Sequence, residues 1–169
     1  MASERYRVNL QHRVYFPRDG DETFYLDVDV NKQSDGFIIE DFFPGEFRTN
    51  PKPDNVVTLT KLFDHAEASV VGRYDLNDFF QTDTRTEGAL DMLRRPLGDT
   101  GLFYEGYISY GQLDEQLGND SVLASFTDPI SSYNRFATYH EVLFPQTFGG
   151  WLNVVPRAGF GYYNYSDLD

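Results

Sequence analysis

The feature that most constrains this chain is a run of alternating residues near its start. From residue 5 to residue 16, apolar side chains recur at every second position, with His12 as the one exception. The apolar set is Tyr6, Val8, Leu10, His12, Val14 and Phe16, and the polar set is Arg5, Arg7, Asn9, Gln11, Arg13 and Tyr15. A period of two places successive side chains on opposite faces of a β-strand. The run therefore predicts a strand with one apolar face and one polar face.

The same alternation recurs along the rest of the chain. The predicted strands cover residues 5–16, 23–31, 55–63, 66–76, 86–93, 102–113, 133–144 and 151–165. Between them we predict turns at 17–22 and 64–65, a long loop or irregular strand start at 33–53, and a long polar loop at 114–132. The fold class predicted from this pattern is all-β: an antiparallel up-and-down β-barrel, or a segment of such a barrel, of about eight strands.

The length and polarity of the strands favour an outer-membrane barrel over a soluble one. A tilted strand needs about 9–11 residues to cross a bilayer, and most of the predicted strands reach that length. Because lipid-facing and interior-facing residues alternate in such barrels, a mean hydropathy of −0.50 is compatible with one. Aromatic residues also gather near the strand ends, where a membrane girdle would lie. A soluble sandwich or lipocalin-like barrel alternates too, and stays an alternative.

Charge and cysteine content exclude several classes of function. The formal net charge is −13, whereas binding to nucleic acid requires a basic surface that neutralises phosphates. The chain has no cysteine, which removes disulfides, zinc–thiolate sites and cysteine nucleophiles. No apolar run approaches the roughly 20 residues of a transmembrane helix.

Catalytic patterns are missing as well. The three histidines, His12, His65 and His140, fall on separate predicted strands or turns. Neighbouring carboxylates such as Asp27 and Asp29 share one strand face, whereas glycosidases need two carboxyls on opposite sides of a sugar. We find neither a Gly-rich phosphate loop nor a nucleophile elbow. We therefore predict that the protein is not an enzyme and has no metal or cofactor.

Arginines are concentrated on the predicted polar faces. They are Arg5, Arg7, Arg13, Arg73, Arg135 and Arg157. In the wet interior of a barrel, such side chains pair with Asp and Glu from neighbouring strands. The favoured interpretation is a charge network that lines an interior, with a specific ligand-binding role as the alternative.

No apolar signal-peptide region follows the start of the chain, so either the protein stays in the cytoplasm or the chain is an excised or mature segment with an added start. The strand pattern favours the second interpretation, in which residues 1–3 are the added start. The domain prediction is therefore a single β domain covering residues 4–169.

The order of several short motifs resembles the barrel of the LPS-assembly protein LptD family, also called organic solvent tolerance protein. The motifs are Asn31-Lys32-Gln33-Ser34-Asp35, Glu40-Asp41-Phe42, Arg95-Pro96-Leu97, Gly101-Leu102-Phe103-Tyr104, and Gly150-Trp151 followed by Pro156. The similarity covers about residues 5–165. Family barrels are larger and carry cysteines and a periplasmic domain, so the resemblance implies an internal segment of the barrel.

The resemblance implies a location in the outer membrane and a role in lipopolysaccharide transport and assembly at the cell surface. The implied partners are lipopolysaccharide, the outer-membrane lipoprotein LptE and outer-membrane lipids, and no catalytic residues carry over. Interior positions near the lipid or plug pathway would include Arg7, Asp27, Asp29, Arg135 and Arg157.

Two other functions stay open. A small self-contained outer-membrane barrel, porin-like or structural, predicts that the eighth strand pairs with the first. A soluble β-barrel that binds a hydrophobic or sugar ligand predicts that the face carrying Val8, Leu10, Val28 and Val30 turns inward.

Overall fold

The structure, a computed structural model, describes residues 4–16, 23–77, 82–116 and 131–167. It contains mostly β-strand and two short helices. The strands are β1 (Arg7–Tyr15), β2 (Phe24–Gln33), β3 (Val56–Phe63), β4 (Ala66–Arg73), β5 (Thr82–Pro96), β6 (Phe103–Gln116), β7 (Ser132–Leu143), β8 (Gln146–Phe148), β9 (Leu152–Val154) and β10 (Arg157–Asp167). The helices are α1 (Ile38–Phe42) and α2 (Pro44–Phe47). No helix among the described residues is long and apolar enough to cross a membrane.

Eight of the strands form one antiparallel up-and-down sheet in the order β1-β2-β3-β4-β5-β6-β7-β10. The predicted all-β class, the antiparallel pairing and the strand number are confirmed. The sheet is not closed: β1 and β10 are its two edges within the described part of the chain. The closed barrel, one of the two predicted forms, is therefore not formed by the described strands, because β1 and β10 do not pair.

The sequence prediction was wrong about the segment between β2 and β3. Residues 33–53 were expected to be a loop or an irregular strand start, whereas the chain forms α1 and α2 there. Ile38 and Ile39 are adjacent and both are buried, which does not fit the alternating exposure of a strand. Pro44 begins α2, a position where its missing N–H is not needed.

The last predicted strand, residues 151–165, is also divided. Its first part pairs with residues after Pro145 to form the small β8–β9 hairpin, and β10 begins only after Pro156. Gly149 and Gly150 provide the hairpin turn, with φ angles of 60° and 75°. Such positive φ angles are easily adopted by glycine. A proline cannot donate to a ladder, so the long strand is interrupted where prolines occur.

The remaining boundaries lie close to the predicted ones, although β4 ends at Arg73 and not at the predicted residue 76. The tight turn at 64–65 is confirmed. Strand β5 is longer than the weak alternation at 86–93 suggested, and its register shifts between Met92 and Arg95. The predicted turn at 17–22, residues 1–3 and most of the predicted loop at 114–132 lie outside the described residues.

The register gives the sheet two chemically different faces. The polar face includes Arg7, Asn9, Gln11, Arg13, Asp27, Asp29, Asn31, Gln33, Thr58, Thr60, Ser69, Arg73, Glu87, Ser109, Arg135, Glu141 and Arg157. The apolar face includes Val8, Leu10, Val14, Leu26, Val28, Val30, Leu59, Val70, Leu90, Ile108, Tyr110, Phe136 and Phe160.

Burial is inverted relative to a water-soluble protein. On the polar face, Asn31, Gln33 and Thr60 are buried, as are Glu87, Ser109 and Glu141. On the apolar face of the central strands, Val70 is 52% exposed and Tyr110 is 57% exposed. The buried hydrophobic residues of the described chain are Ile38, Ile39, Ala137 and Leu143. Ala137 and Leu143 belong to the polar side of the register, so these two core residues lie on that side of the sheet.

Candidate functional site

The polar face carries a series of paired charges, of which the first is between β1 and β2. Arg13 and Asp27 are opposite each other in the register, and the Arg13 Nε lies 2.6 Å from an Asp27 carboxylate oxygen. A second guanidinium nitrogen donates to the other carboxylate oxygen at 2.7 Å. The Arg13 guanidinium also lies 4.2 Å from the centre of the Tyr25 ring. The bidentate geometry fixes the direction of both side chains.

The same edge of the sheet holds the helical segment in place. Arg7 makes two hydrogen bonds to the Glu46 carboxylate in α2, at 2.5 and 2.8 Å. Arg5 donates to Asp35 at 2.8 and 2.9 Å and to Asp41 at 2.7 Å. These pairs join residues just before and at the start of β1 to residues 34–47, which are distant in sequence. Three ion pairs therefore attach this segment to the edge strand.

The pKa values of two carboxylates in this attachment, Asp35 and Glu46, are lowered by their arginine partners. Hydrogen bonds from Arg5 lower the pKa of Asp35 to about 2, from an ordinary value of 3.8. The bidentate contact with Arg7 likewise lowers the pKa of Glu46. Both groups are therefore ionised at neutral pH, and the attachment is complete there.

A cluster of amides lies next to these charges. The pairing of β2 with β3 ends at Asp29, so Asn31 and Gln33 at the end of β2 have no strand beside them on that side. Asparagine side chains from the loops bond to the backbone of β2 in its place. The Asn31 N–H donates to the Asn55 side chain at 2.6 Å, and the Gln33 N–H donates to the Asn77 side chain at 2.9 Å. Asp29 accepts from the Asn31 amide at 2.7 Å and from Gln11 at 2.9 Å. The side chains thus satisfy the backbone groups of β2 that a strand would otherwise bond.

The second charged group lies in the middle of the sheet. Arg135 of β7 reaches across β6 and donates to Glu87 of β5 at 2.6 Å. Arg85 lies 3.2 Å from the same carboxylate, whose side chain is only 10% exposed. The residue between Glu87 and Arg135 in the register is Gly111, which leaves room for this contact. One carboxylate therefore serves two guanidinium groups from different strands.

The third pair, Arg157 with Glu141, is looser. Its closest nitrogen–oxygen distance is 3.9 Å, between β10 and β7. Arg157 is more than half exposed, whereas Glu141 is largely buried. This pair marks the β10 edge of the polar face.

All five residues predicted to line an interior lie on the polar face. The structure brings them together in two groups rather than one. Arg7, Asp27 and Asp29 are near the β1 edge, whereas Arg135 and Arg157 are near the β10 edge.

Sequence reasoning missed several of the partners. Glu46 and Asn77 lie outside the predicted alternating runs, and Asn55 is the first residue of the predicted strand 55–63, so no periodic signal could have identified them as partners. Glu87 could have been found from alternation, because it lies in the weak fifth strand opposite Val71 on the same face as Arg73.

The histidines are separated, as the sequence suggested. His140 is on the apolar side of β7, and its Nδ1 lies 2.6 Å from the Tyr104 hydroxyl. His12 is exposed on β1 and His65 is in the turn after β3. The described ranges contain no group of three or more side chains suited to hold a metal ion.

The fold and its faces define a class: an open antiparallel sheet with a charged, partly buried face and an exposed apolar face. Comparison with known proteins adds no family to this description. Neither the known protein families nor the curated proteins contain a match to the chain.

Proposed function

We propose that the chain forms part of the wall of an outer-membrane β-barrel that acts in lipopolysaccharide transport and assembly, and that it has no catalytic role. The apolar face would contact lipid and the polar face would line a wet interior. The lipopolysaccharide assignment rests on the motif order that resembles the LptD family, and the membrane assignment rests on the geometry of the sheet.

The observation that carries the membrane assignment is the inverted exposure of the two faces. Val8, Leu10 and Val70 are each more than half exposed. Soluble monomers seldom expose apolar patches larger than a few hundred Å². A bilayer, by contrast, stabilises such a face, and a water-filled interior suits paired charges.

The edges of the sheet support a role within a larger barrel wall. Unpaired N–H and C=O groups are costly in hydrocarbon, so spanning sheets are closed. Because β1 and β10 do not pair with each other, each would need another strand as its partner in a membrane. This favours a wall segment over a self-contained eight-stranded barrel, which requires those two strands to pair.

The charged groups have a clear role in this proposal. In this proposal the interior is lined by the guanidinium groups of Arg7, Arg135 and Arg157. Phosphates of lipopolysaccharide, or side chains of the LptE lipoprotein, would pass these groups. Asp27 and Asp29 balance the positive charge near the β1 edge. Guanidinium groups suit phosphate recognition because of their fixed, bidentate geometry.

Neighbouring single-cysteine variants test the membrane assignment. The chain has no native cysteine, so Leu10→Cys and Gln11→Cys each give one labelling site on opposite faces of β1. After reconstitution into vesicles, a spin label at position 10 should be accessible to lipid-soluble oxygen, and one at position 11 to a water-soluble nickel complex. Ile108→Cys and Ser109→Cys repeat the comparison on β6. Equal access of the nickel complex to both members of each pair would contradict the proposal.

Charge reversal in cells tests the transport assignment. Arg135→Glu combined with Arg157→Glu should weaken the outer-membrane barrier and raise sensitivity to detergent and to large antibiotics. Arg48→Glu is the matched control, since Arg48 follows α2 and lies off the sheet. Unchanged sensitivity of the double variant at normal abundance in the membrane would argue against the transport role.

A further inference from the structure

The β8–β9 hairpin lies in the longest uncharged stretch of the chain. No charged residue occurs between Glu141 and Arg157, in a sequence in which 24% of the residues are charged. The hairpin forms a two-stranded sheet of its own, separate from the eight-stranded sheet. An isolated two-stranded hairpin is marginally stable in water, so a hairpin of this kind needs a surface to support it.

The register gives the hairpin one apolar face and one polar face. Phe148 is opposite Leu152, and Val154 follows on the same face. Thr147 is opposite Asn153 on the other face, where the Thr147 hydroxyl donates to the Asn153 side-chain oxygen at 2.7 Å. Phe148 is 56% exposed and Leu152 is 44% exposed. The apolar face of the hairpin is therefore open, whereas its polar face is closed by a hydrogen bond.

A tight turn holds the single tryptophan of the chain at the tip of this hairpin. The Trp151 N–H donates to the Phe148 carbonyl oxygen at 3.3 Å, and both glycines between them have positive φ angles. Positive φ at both central residues is the conformation of a type I′ turn. Trp151 is largely exposed, and its indole Nε1 would lie 3.1 Å from a Cβ added at Gly149. The turn therefore presents a large amphipathic ring at a defined position.

We propose that the β8–β9 hairpin inserts its tip into the headgroup region of one leaflet and anchors the sheet there, with Phe148, Trp151 and Leu152 in contact with lipid. The inference rests on the proposed function, because it requires the chain to lie in a bilayer. Tryptophan is enriched at that depth, since its ring is apolar and its N–H still finds a hydrogen-bond acceptor.

The charge and position of the hairpin favour lipid over a protein partner. Protein interfaces surround an apolar centre with a polar, solvent-accessible rim, and the hairpin has no charged residue to contribute to one. A bilayer interface requires none. The hairpin also follows directly after Phe144, which by alternation continues the apolar side of β7. It is therefore continuous with the face that is proposed to contact lipid.

Because Trp151 is the only tryptophan, its fluorescence reports the position of the hairpin tip. The full chain is reconstituted in phosphatidylcholine vesicles that contain phosphatidylcholine with a nitroxide label, attached either near the glycerol or near the end of an acyl chain. We expect emission at a shorter wavelength than in the denatured chain, and stronger quenching by the label near the glycerol. Stronger quenching by aqueous iodide than by either label would overturn the proposal.

Two neighbouring substitutions test which face of the hairpin contacts lipid. Leu152→Asp should lose most of the quenching by the label near the glycerol, because an ionised carboxylate on the apolar face resists transfer from water. Asn153→Asp is the matched control, since it adds the same charge one residue away on the polar face, and it should keep the quenching. Equal quenching in the two variants would contradict the assignment of the apolar face to lipid. The measurement on the unaltered chain depends on neither variant.

Flotation with vesicles separates this inference from the proposed function. A chain that does not float with phosphatidylcholine vesicles would refute the membrane assignment and the anchor together. A chain that floats while Trp151 is quenched by iodide alone would refute the anchor only. Protection of Trp151 from iodide and from both lipid labels would also refute the anchor, because protein would then cover the hairpin.

Discussion

Gly111 is the position at which the polar face is most sensitive to one added methyl group. It lies on β6 between Glu87 and Arg135. A Cβ there would be 2.9 Å from the Glu87 Cβ and 2.9 Å from the Thr86 carbonyl oxygen. The carbonyl oxygen belongs to the backbone and the Glu87 Cβ is bonded directly to it, so neither atom can rotate away and Gly111→Ala must displace strand β5 or β6.

The expected cost follows from two opposing effects. Overpacking of this kind costs about 1–3 kcal/mol. The lower conformational entropy of alanine in the unfolded chain offsets about 0.4–1 kcal/mol. Gly111→Ala should therefore lower the free energy of unfolding by about 1–2 kcal/mol. It should also weaken the contact between Arg135 and Glu87, because that contact passes over the glycine.

Gly88→Ala is the matched control on the neighbouring strand. Since its added Cβ meets nothing closer than 4.0 Å, we expect unchanged stability or a gain of up to about 1 kcal/mol. Urea unfolding in detergent micelles, followed by far-UV circular dichroism, measures both variants. Fluorescence of Trp151 would be less informative, because this residue is already 80% exposed in the folded chain. Equal stabilities of the two variants would refute the steric argument and the register on which it depends.

Two further predictions concern charge. Glu87→Gln should destabilise the sheet by about 1–2 kcal/mol, because it leaves the partly buried Arg135 without an anion. Asp27→Asn, in a more exposed pair, should cost less than about 1 kcal/mol. Thermal unfolding of both variants in one detergent compares the two costs, and a larger cost for Asp27→Asn would contradict the burial argument. Because the pKa of Asp35 is lowered to about 2 from 3.8, its contact with Arg5 contributes stability above pH 4 that is lost as the pH falls toward 2. An NMR titration of the Asp35 carboxyl checks this value, and a midpoint near 3.8 would show that the ion pair does not form.

The fold was predictable from sequence because its signal is local. The first strand alternates so regularly that β1 and both of its faces follow from the positions alone, and the same holds for β2, β4 and β7. The prediction failed where a proline interrupts a strand and where a helical segment takes the place of alternating residues. Pro156 divides the last predicted strand, and the adjacent buried pair Ile38 and Ile39 stabilises a helical segment.

The candidate site was predictable only in part. Alternation assigned Arg7, Arg135 and Arg157 to the polar face correctly. It could not pair them, because the partners of a side chain depend on register between strands that are far apart in sequence. Glu46 is a partner of Arg7 only because a helix packs over the start of β1.

The sequence alone determined which side chains share a face of each strand, because successive side chains of a β-strand point to opposite faces. Tertiary structure decided the rest. It set the register that brings Glu87 and Arg135 together over Gly111, left β1 and β10 as open edges, and buried polar side chains of the central strands such as Glu87 and Ser109. These outcomes depend on contacts between distant segments, which the alternation within a single strand does not specify.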